Sequence, residues 1–200
     1  MRKENERVLV LATKKIFPSK SWQGINRNQL KRVLNLAFTE RDFRKRGDVE
    51  KDPSFRQIIP YIVFLLGNEI FMMQRLEKHT DQRLKNKYSL GIGGHLRSED
   101  LEKSDSVLDW ARRELVEEVK YSGNLDFKLA GVLNDDSNDV GRVHLGIVIL
   151  AIADSPEISV KDEHKSGVLV TLKEARKHYK EMENWSQIVL DFLDHRKKQV

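Results

Sequence analysis

Two apolar segments constrain the fold of this chain most strongly. They read "IIPYIVFLL" (58–66) and "LGIVILAIA" (145–153). Each is about half the roughly 20 residues that a membrane-spanning helix needs, so both are expected to be buried strands. The N-terminal apolar run is interrupted by Lys14 and Lys15, and no signal-peptide cleavage site follows it. We therefore expect a soluble, cytoplasmic protein with no membrane partner.

Other segments add strands and helices around these two. Gly67-Asn68 joins the first apolar segment to "EIFMMQR" (69–75), which predicts a β-hairpin. Residues 7–13 and the "GVLVTL" segment indicate further strands. Helical spacing predicts a helix that contains Leu30 and Ala37, with Asn28 as its cap, and a C-terminal helix that breaks near Asn184. The predicted class is α/β, with a mixed sheet covered by helices.

The length of 200 residues predicts a single domain, 1–200. Residues 1–55 would form an N-terminal strand, a helix and a charged connector, and 56–200 the core. The connector, 39–55, is nearly all charged, which is typical of a solvated segment; a nucleic-acid contact through its arginines is the alternative that we do not favour.

The amino-acid composition restricts the kinds of functional site that the chain can form. The chain has no cysteine, which excludes disulfides, thiolate metal sites and cysteine nucleophiles, and suits a reducing compartment. Its formal net charge of +5 is compatible with polyanionic ligands such as nucleotides, although the excess is small for 200 residues.

A glycine-rich loop followed by an acidic helix is the most informative local pattern. "SLGIGGHL" (89–96) precedes a helix predicted to start near Ser104 or Ser106 and to carry "RRELVEEV" (112–119). Glu114, Glu117 and Glu118 share one helix face, where like charges repel each other. The loop lacks the spacing of a P-loop or a dinucleotide fingerprint. Divalent cations would relieve the repulsion, because Mg²⁺ prefers carboxylate oxygens as ligands.

This pattern resembles the Nudix box of the Nudix hydrolases, in which a glycine and a glutamate precede the sequence Arg-Glu-aliphatic-any-Glu-Glu. Gly94 matches the opening glycine, and Arg113, Glu114, Leu115, Glu117 and Glu118 match the central run, so the box spans about 94–121. The flanking hairpin and closing helices extend the resemblance over roughly residues 56–195. It implies a Nudix-like α/β/α sandwich.

The box departs from the family pattern at two places. The loop before Arg113 is about five residues too long, so that either Asp105 or Asp100 would replace the first glutamate. Lys120 replaces the glycine that usually ends the helix, which predicts a helix that continues for another turn, to Gly123.

The resemblance also implies site residues. Glu117 and Glu118 would be the main ligands of Mg²⁺ or Mn²⁺, helped by Glu114 and by the backbone carbonyl of Gly93. Glu114 would also orient or deprotonate the attacking water, and Arg113 would hold a glutamate in place. An acid outside the box often completes such sites; Glu163 matches that position best, with Asp135 and Asp136 as rivals.

Three further side chains have two interpretations each. Arg75 would contact a substrate phosphate or simply end its strand. His95, beside the glycines, would be a ligand or base, or would pack or cap. His144 lies on an alternating strand and is expected to be structural.

The predicted function is metal-dependent hydrolysis of a pyrophosphate linkage in a nucleoside diphosphate derivative, a small-molecule substrate. A catalytically idle Nudix-like sensor of nucleotides or nucleic acid is the alternative. An isomerase of diphosphate-bearing isoprenoids is disfavoured, because that chemistry usually needs a cysteine. The resemblance also implies a homodimer, because the family often dimerises.

Overall fold

The structure is a computed structural model, and it describes residues 3–75, 86–101, 104, 106–161 and 164–197. The chain forms two compact units. The first comprises Met1–Tyr61, Gly93–Ala111 and Leu129–Val148, and the second comprises Ile62–Ile92, Arg112–Lys128 and Ile149–Val200.

Strands and helices alternate as predicted only up to Phe55; beyond it the strands come in two runs, and two helices separate the runs. The strands are β1 (Arg7–Ala12), β2 (Gly24–Asn26), β3 (Asp42–Lys45), β4 (Phe55–Leu66), β5 (Glu69–Arg75), β6 (Tyr88–Ser89), β7 (Ile92–Gly93), β8 (Val119–Tyr121), β9 (Leu125–Asn134), β10 (His144–Ala153), β11 (Ile158–Val160) and β12 (His164–Thr171). The helices are α1 (Thr13–Ile16), α2 (Leu30–Thr39), α3 (Arg46–Val49), α4 (Ser98–Leu101), α5 (Val107–Glu118), α6 (Leu172–Lys177) and α7 (Asn184–Lys197). The fold is mixed α/β, as predicted.

In the first unit, β1 lies between two antiparallel partners. Val10 of β1 is opposite Asp42 of β3 on one side and Gln57 of β4 on the other. The charged connector at 39–55 is mostly exposed, as expected, but it contains regular secondary structure. Its residues form β3 and α3, and Val49 at the end of α3 is buried against Val8 and Val10. Burial of one valine and the pairing of β3 with β1 fix a segment whose local composition indicated only solvent exposure.

The first unit also contains the strand order β4-β10-β9-β2. The apolar segment of β10 is buried almost throughout, as expected for a strand covered on both faces. Strand β2 pairs antiparallel with β9, so that Gly24 is opposite Asn134. Helix α2 buries Val33 and Ala37, but Asn28 does not cap it; the residue before the helix is Gln29, which makes no side-chain cap.

The second unit is built on the predicted hairpin. Leu65 of β4 is opposite Ile70 of β5, and Gly67 between the strands has a φ of +55°, a left-handed conformation that favours glycine. Strand β12 pairs antiparallel with the other edge of β5 over nearly its whole length. The predicted break before Asn184 is confirmed, since α6 ends at Lys177 and α7 begins at Asn184.

Helix α5 starts where the sequence predicts but ends earlier. Ser106 directly precedes it, and its carbonyl accepts hydrogen bonds from the backbone of Asp109 and Trp110. The helix stops at Glu118 rather than continuing to Gly123. Lys161 satisfies its last carbonyls, because its backbone N–H donates to the Glu118 carbonyl (3.0 Å) and its ammonium donates to the Val116 carbonyl.

The residues after α5 form β8, which pairs antiparallel with β11. Val119 is opposite Val160, and Tyr121 is opposite Ile158. Strand pairing therefore replaces the helix-ending glycine of the family pattern. Within the described residues, no helix is both long and apolar enough to span a bilayer.

Candidate active site

Helix α5 places the predicted acidic residues at the border between the protein interior and solvent. Ala111 and Leu115 on its apolar side are buried, whereas Glu117 is exposed. Glu118 is half-buried, and Glu114 keeps only 8% of its surface exposed. A carboxylate as buried as Glu114 is costly unless a cation or hydrogen-bond donors compensate it.

Arg113 links two of these carboxylates. Its Nη1 donates to Glu117 Oε1 at 2.8 Å and lies 3.5 Å from Glu114 Oε2. One guanidinium therefore orients the buried and the exposed carboxylate together. The three glutamates carry a formal charge of −3 and Arg113 +1, which leaves about −2 on this face at neutral pH. Carboxylate oxygens with that excess charge are a donor set that fits a divalent cation such as Mg²⁺ or Mn²⁺.

Gly93 belongs to the first unit, at the end of β7. A Cβ at this position would lie 3.0 Å from the Pro60 carbonyl oxygen and 3.1 Å from Ile59 Cγ2. The close approach of the two backbones explains why a residue without a side chain stands here. The role of the Gly93 carbonyl as a metal ligand stays a prediction.

Arg75 is held in the second unit by an acidic side chain. Its Nε donates to Glu183 Oε1 at 2.8 Å, and the hydroxyl of buried Ser89 donates to the other oxygen of the same carboxylate at 3.1 Å. This network connects the end of β5 to the residue just before α7. The structure thus gives Arg75 a structural interaction, and its contact with a substrate phosphate stays a prediction.

A second cluster of ionisable groups, which we call the His–His–Glu cluster, comprises Glu50, His95 and His144 of the first unit. Their ligand atoms all lie within 4.8 Å of one another. The two Nε2 atoms are 3.2 Å apart, and His144 Nδ1 is 2.7 Å from the Val140 carbonyl oxygen. Burial lowers the pKa of His144, partly offset by that backbone hydrogen bond.

Sequence reasoning considered the two histidines separately and missed Glu50. No local signal connects these residues, because they are 45 and 49 positions apart along the chain. Glu50 lies among other charged residues of the connector, so in the sequence it looks like any solvated glutamate. Only the pairing of β1 with β3 and β4 fixes the segment that contains it.

Comparison with known proteins finds relatives that match nearly the whole chain. No protein-family model matches the sequence. Protein YmaB of Bacillus subtilis (strain 168) is 34% identical over 210 residues, covering 97% of this chain and 100% of its own. The crystal structure of Tm1382, for which assignment to the Nudix hydrolases has been proposed, is 32% identical with a TM-score of 0.77, covering 94% of this chain and 98% of its own.

The chain belongs to the Nudix hydrolase family. Members of this family are pyrophosphohydrolases, enzymes that act on phosphoric anhydrides. A more distant structure shows the same fold: a bifunctional NMN adenylyltransferase/ADP ribose pyrophosphatase from Francisella tularensis, complexed with AMP and a manganese ion. It is 20% identical with a TM-score of 0.52, and the match covers 70% of this chain and 42% of that one.

The departures from the Nudix box have structural counterparts. Of the two candidates for its first glutamate, Asp105 lies outside the described residues. Asp100 is buried, and its Oδ2 accepts a hydrogen bond from the Arg97 backbone at the start of α4 (2.8 Å). Lys120 lies in β8. Because the chain is already in a strand at this position, it does not need a glycine to end the helix.

The acid expected to complete the Nudix site from outside the box is not located. Glu163 lies outside the described residues. In the first unit, Asp135 accepts hydrogen bonds from Gln23 (2.7 Å) and from the backbone of Ser137 (3.0 Å), so it connects the loop after β9 to the residue before β2. Asp136 accepts from Ser21 and Arg56. Burial alone would raise the pKa of Asp136, but these two hydrogen bonds lower it below its ordinary value.

Proposed function

We propose that this protein hydrolyses a pyrophosphate linkage in a nucleoside diphosphate derivative, using Mg²⁺ or Mn²⁺ held by the carboxylates of α5. The observation that carries the proposal is the arrangement of Arg113 with Glu114 and Glu117 on one helix face. The Francisella neighbour, crystallised with AMP and manganese, supports both the substrate class and the type of metal.

The three glutamates differ in exposure, and the proposal gives them different roles in metal binding and proton transfer. Glu117 and Glu118, which are more exposed than Glu114, would hold the cation with help from Glu114. When bound, such a cation neutralises charge on phosphate oxygens and makes a water molecule more acidic. Glu114 is the most buried of the three, so its carboxylate is suited to orient the attacking water and to accept its proton. Arg113 fixes the side chain of Glu117 by a charge-assisted hydrogen bond.

Other properties of the protein extend this proposal. The substrate would be a small nucleotide-type molecule, and an acid outside the box, Glu163 by preference, would complete the metal site. Arg75 would contact a substrate phosphate. A cytoplasmic location and a homodimer are the expected setting for the enzyme.

The test is the pair of variants Glu117→Gln and Glu118→Gln. Each keeps the shape of the side chain and removes a formal charge. The parent and both variants are assayed with nucleotide sugars, dinucleoside polyphosphates, dinucleotide cofactors and oxidised nucleotides, in Mg²⁺ and in Mn²⁺, with products identified by mass. We expect kcat on the preferred substrate to fall at least about a hundredfold in each variant.

Glu181→Gln is the matched control, because Glu181 is an exposed glutamate on a different element of the same unit. It should keep the parent's kcat, and circular dichroism should show that all the variants are folded. If the Gln variants turn over as fast as the parent, the site assignment is wrong. If the parent binds nucleotides tightly but releases no product with either metal, the protein is a sensor rather than a hydrolase.

A further inference from the structure

We propose that the His–His–Glu cluster of the first unit is a second metal site, one that takes a transition-metal ion of the Zn²⁺ class. It is formed by Glu50 just after α3, His95 after β7, and His144 at the start of β10. The proposal is independent of the proposed hydrolysis, since it uses none of the residues of α5.

The distance between the two imidazoles fits a shared ion. Zn²⁺ binds histidine nitrogens at about 2.0–2.1 Å and favours tetrahedral coordination. Two nitrogens 3.2 Å apart, each at that distance from one ion, subtend an angle of about 100–106° at the metal. That value is close to the tetrahedral angle. The third ligand atom, a Glu50 oxygen, lies within 4.8 Å of both nitrogens.

Hydrogen bonds around the cluster orient two of its ligands. The backbone carbonyl of Val140 accepts from His144 Nδ1 at 2.7 Å. With its proton on Nδ1, the imidazole has an unprotonated Nε2 whose lone pair can bind a metal ion. Fully buried Gln57 donates to Glu50 Oε2 at 3.3 Å. Histidine and carboxylate ligands of protein metal sites usually have outer hydrogen-bond partners of this kind.

Two arginines near the cluster do not prevent a metal ion from binding, because carboxylates neutralise their charge. Arg56 makes an ion pair with Asp136 at 2.7 Å. Arg46 lies between Glu6 (3.9 Å) and Glu50 (3.6 Å), so its charge is shared by two acids. Glu50 would therefore bind the ion through one oxygen while the other stays with Gln57 and Arg46.

The chemistry of the ligands separates this site from the one on α5. Two imidazoles and one carboxylate suit Zn²⁺, Co²⁺ or Ni²⁺, whereas carboxylates alone suit Mg²⁺. An ion at this site would also link the N-terminal segment to β10, because Glu50 just after α3 and His144 at the start of β10 would bind the same metal.

The competing explanation is a plain hydrogen bond between the two histidines. In that case His95 Nε2–H donates to His144 Nε2, and the 3.2 Å separation needs no ion. The two explanations differ in one measurable respect, the capacity to bind one Zn²⁺ per chain.

The experiment uses the full chain, stripped with a chelator and then titrated with Zn²⁺ in the presence of excess Mg²⁺. Stoichiometry is read by elemental mass spectrometry, and Co²⁺ replaces Zn²⁺ for visible absorption spectra. The variants are Glu50→Gln and His95→Gln, both at partly exposed positions, and His144→Gln at a buried one. The controls are His178→Gln, an imidazole of the other unit, and Glu117→Gln on α5.

We expect the parent and both controls to bind one Zn²⁺ per chain and to give an intense Co²⁺ spectrum. Glu50→Gln and His95→Gln should raise the Zn²⁺ Kd at least about tenfold and weaken that spectrum. Near-ultraviolet circular dichroism checks that they are folded, so the test does not depend on His144→Gln. Absence of binding in the parent, or equal binding in all variants, would overturn the proposal, as would loss of Zn²⁺ in Glu117→Gln alone.

Discussion

Replacement of Arg56 by methionine should destabilise the protein far more than the same change at an exposed arginine. Arg56 is only 5% exposed, and its guanidinium donates to Asp136 Oδ1 and to the Gly141 carbonyl oxygen, both at 2.7 Å. Removal of one partner of a buried ion pair costs about 3–5 kcal/mol. Asp136 is 31% exposed and can recover water, so we expect about 3 kcal/mol, the lower end of this range.

Arg44→Met is the matched control. Arg44 also forms a 2.7 Å ion pair, with Asp42, but the two side chains are 43% and 46% exposed. Exposed pairs contribute about 0–1 kcal/mol. The two variants therefore differ in burial and in the hydrogen bond from Arg56 to the Gly141 carbonyl oxygen.

The assay is urea denaturation followed by circular dichroism and by tryptophan fluorescence, whose agreement tests two-state behaviour. Each kcal/mol corresponds to about 2–4 °C in Tm for a chain of this size, so Arg56→Met should lower Tm by about 6–12 °C. If its free energy of unfolding falls within about 0.5 kcal/mol of that of Arg44→Met, the buried pair does not have the role assigned to it.

The pH dependence gives a second check on the same pair. The folded-state pKa of Asp136 lies below its unfolded value of about 3.9. Its contribution is therefore present above about pH 4 and is lost as the pH falls through the folded pKa. The stability difference between the parent and Arg56→Met should shrink below about pH 4, and a difference that stays constant there would contradict the assignment.

Two further predictions concern a helix cap and a close backbone contact, and each has a control variant. Thr171→Ala removes a capping box, in which the Thr171 hydroxyl accepts from the Glu174 backbone and Glu174 bonds back to Thr171, and should cost about 1 kcal/mol in urea denaturation. Thr39→Ala, at an exposed threonine whose hydroxyl donates to the Asn35 carbonyl oxygen of the same helix, should change stability by less than half as much. Gly141→Ala would place a Cβ 1.9 Å from the Asp135 carbonyl oxygen and should cost at least about 1–3 kcal/mol, because the backbone must move. Gly47→Ala, whose Cβ would meet its nearest atom at 3.3 Å, should stay within about 1 kcal/mol of the parent, and equal losses in the two glycine variants would refute the clash.

Features carried by local patterns could be predicted from the sequence. The β4–β5 hairpin follows from Gly67-Asn68 between two apolar runs, and the start of α5 follows from Ser106 and the apolar spacing after it. The same helical periodicity determines that Glu114 and Glu117 face the same way as Glu118. These are short-range consequences of backbone geometry, so a window of a dozen residues contains them.

Tertiary structure decided the features that depend on distant partners. Helix α5 ends at Glu118 because Lys161 satisfies its carbonyls and β11 pairs with the residues that follow. The charged connector becomes ordered because β1 pairs with β3 and buries Val49. Composition and periodicity contain no information about which strand becomes a neighbour.

The two candidate metal sites illustrate the same distinction. The carboxylates of α5 are neighbours along one helix, so the sequence by itself determined that they form a cluster. Glu50, His95 and His144 come from three separate segments, and only strand pairing in the first unit brings their ligand atoms within 4.8 Å. The physical reason is the range of the forces involved: helix hydrogen bonds connect residues four apart, whereas burial of apolar surface brings together residues at any separation along the chain.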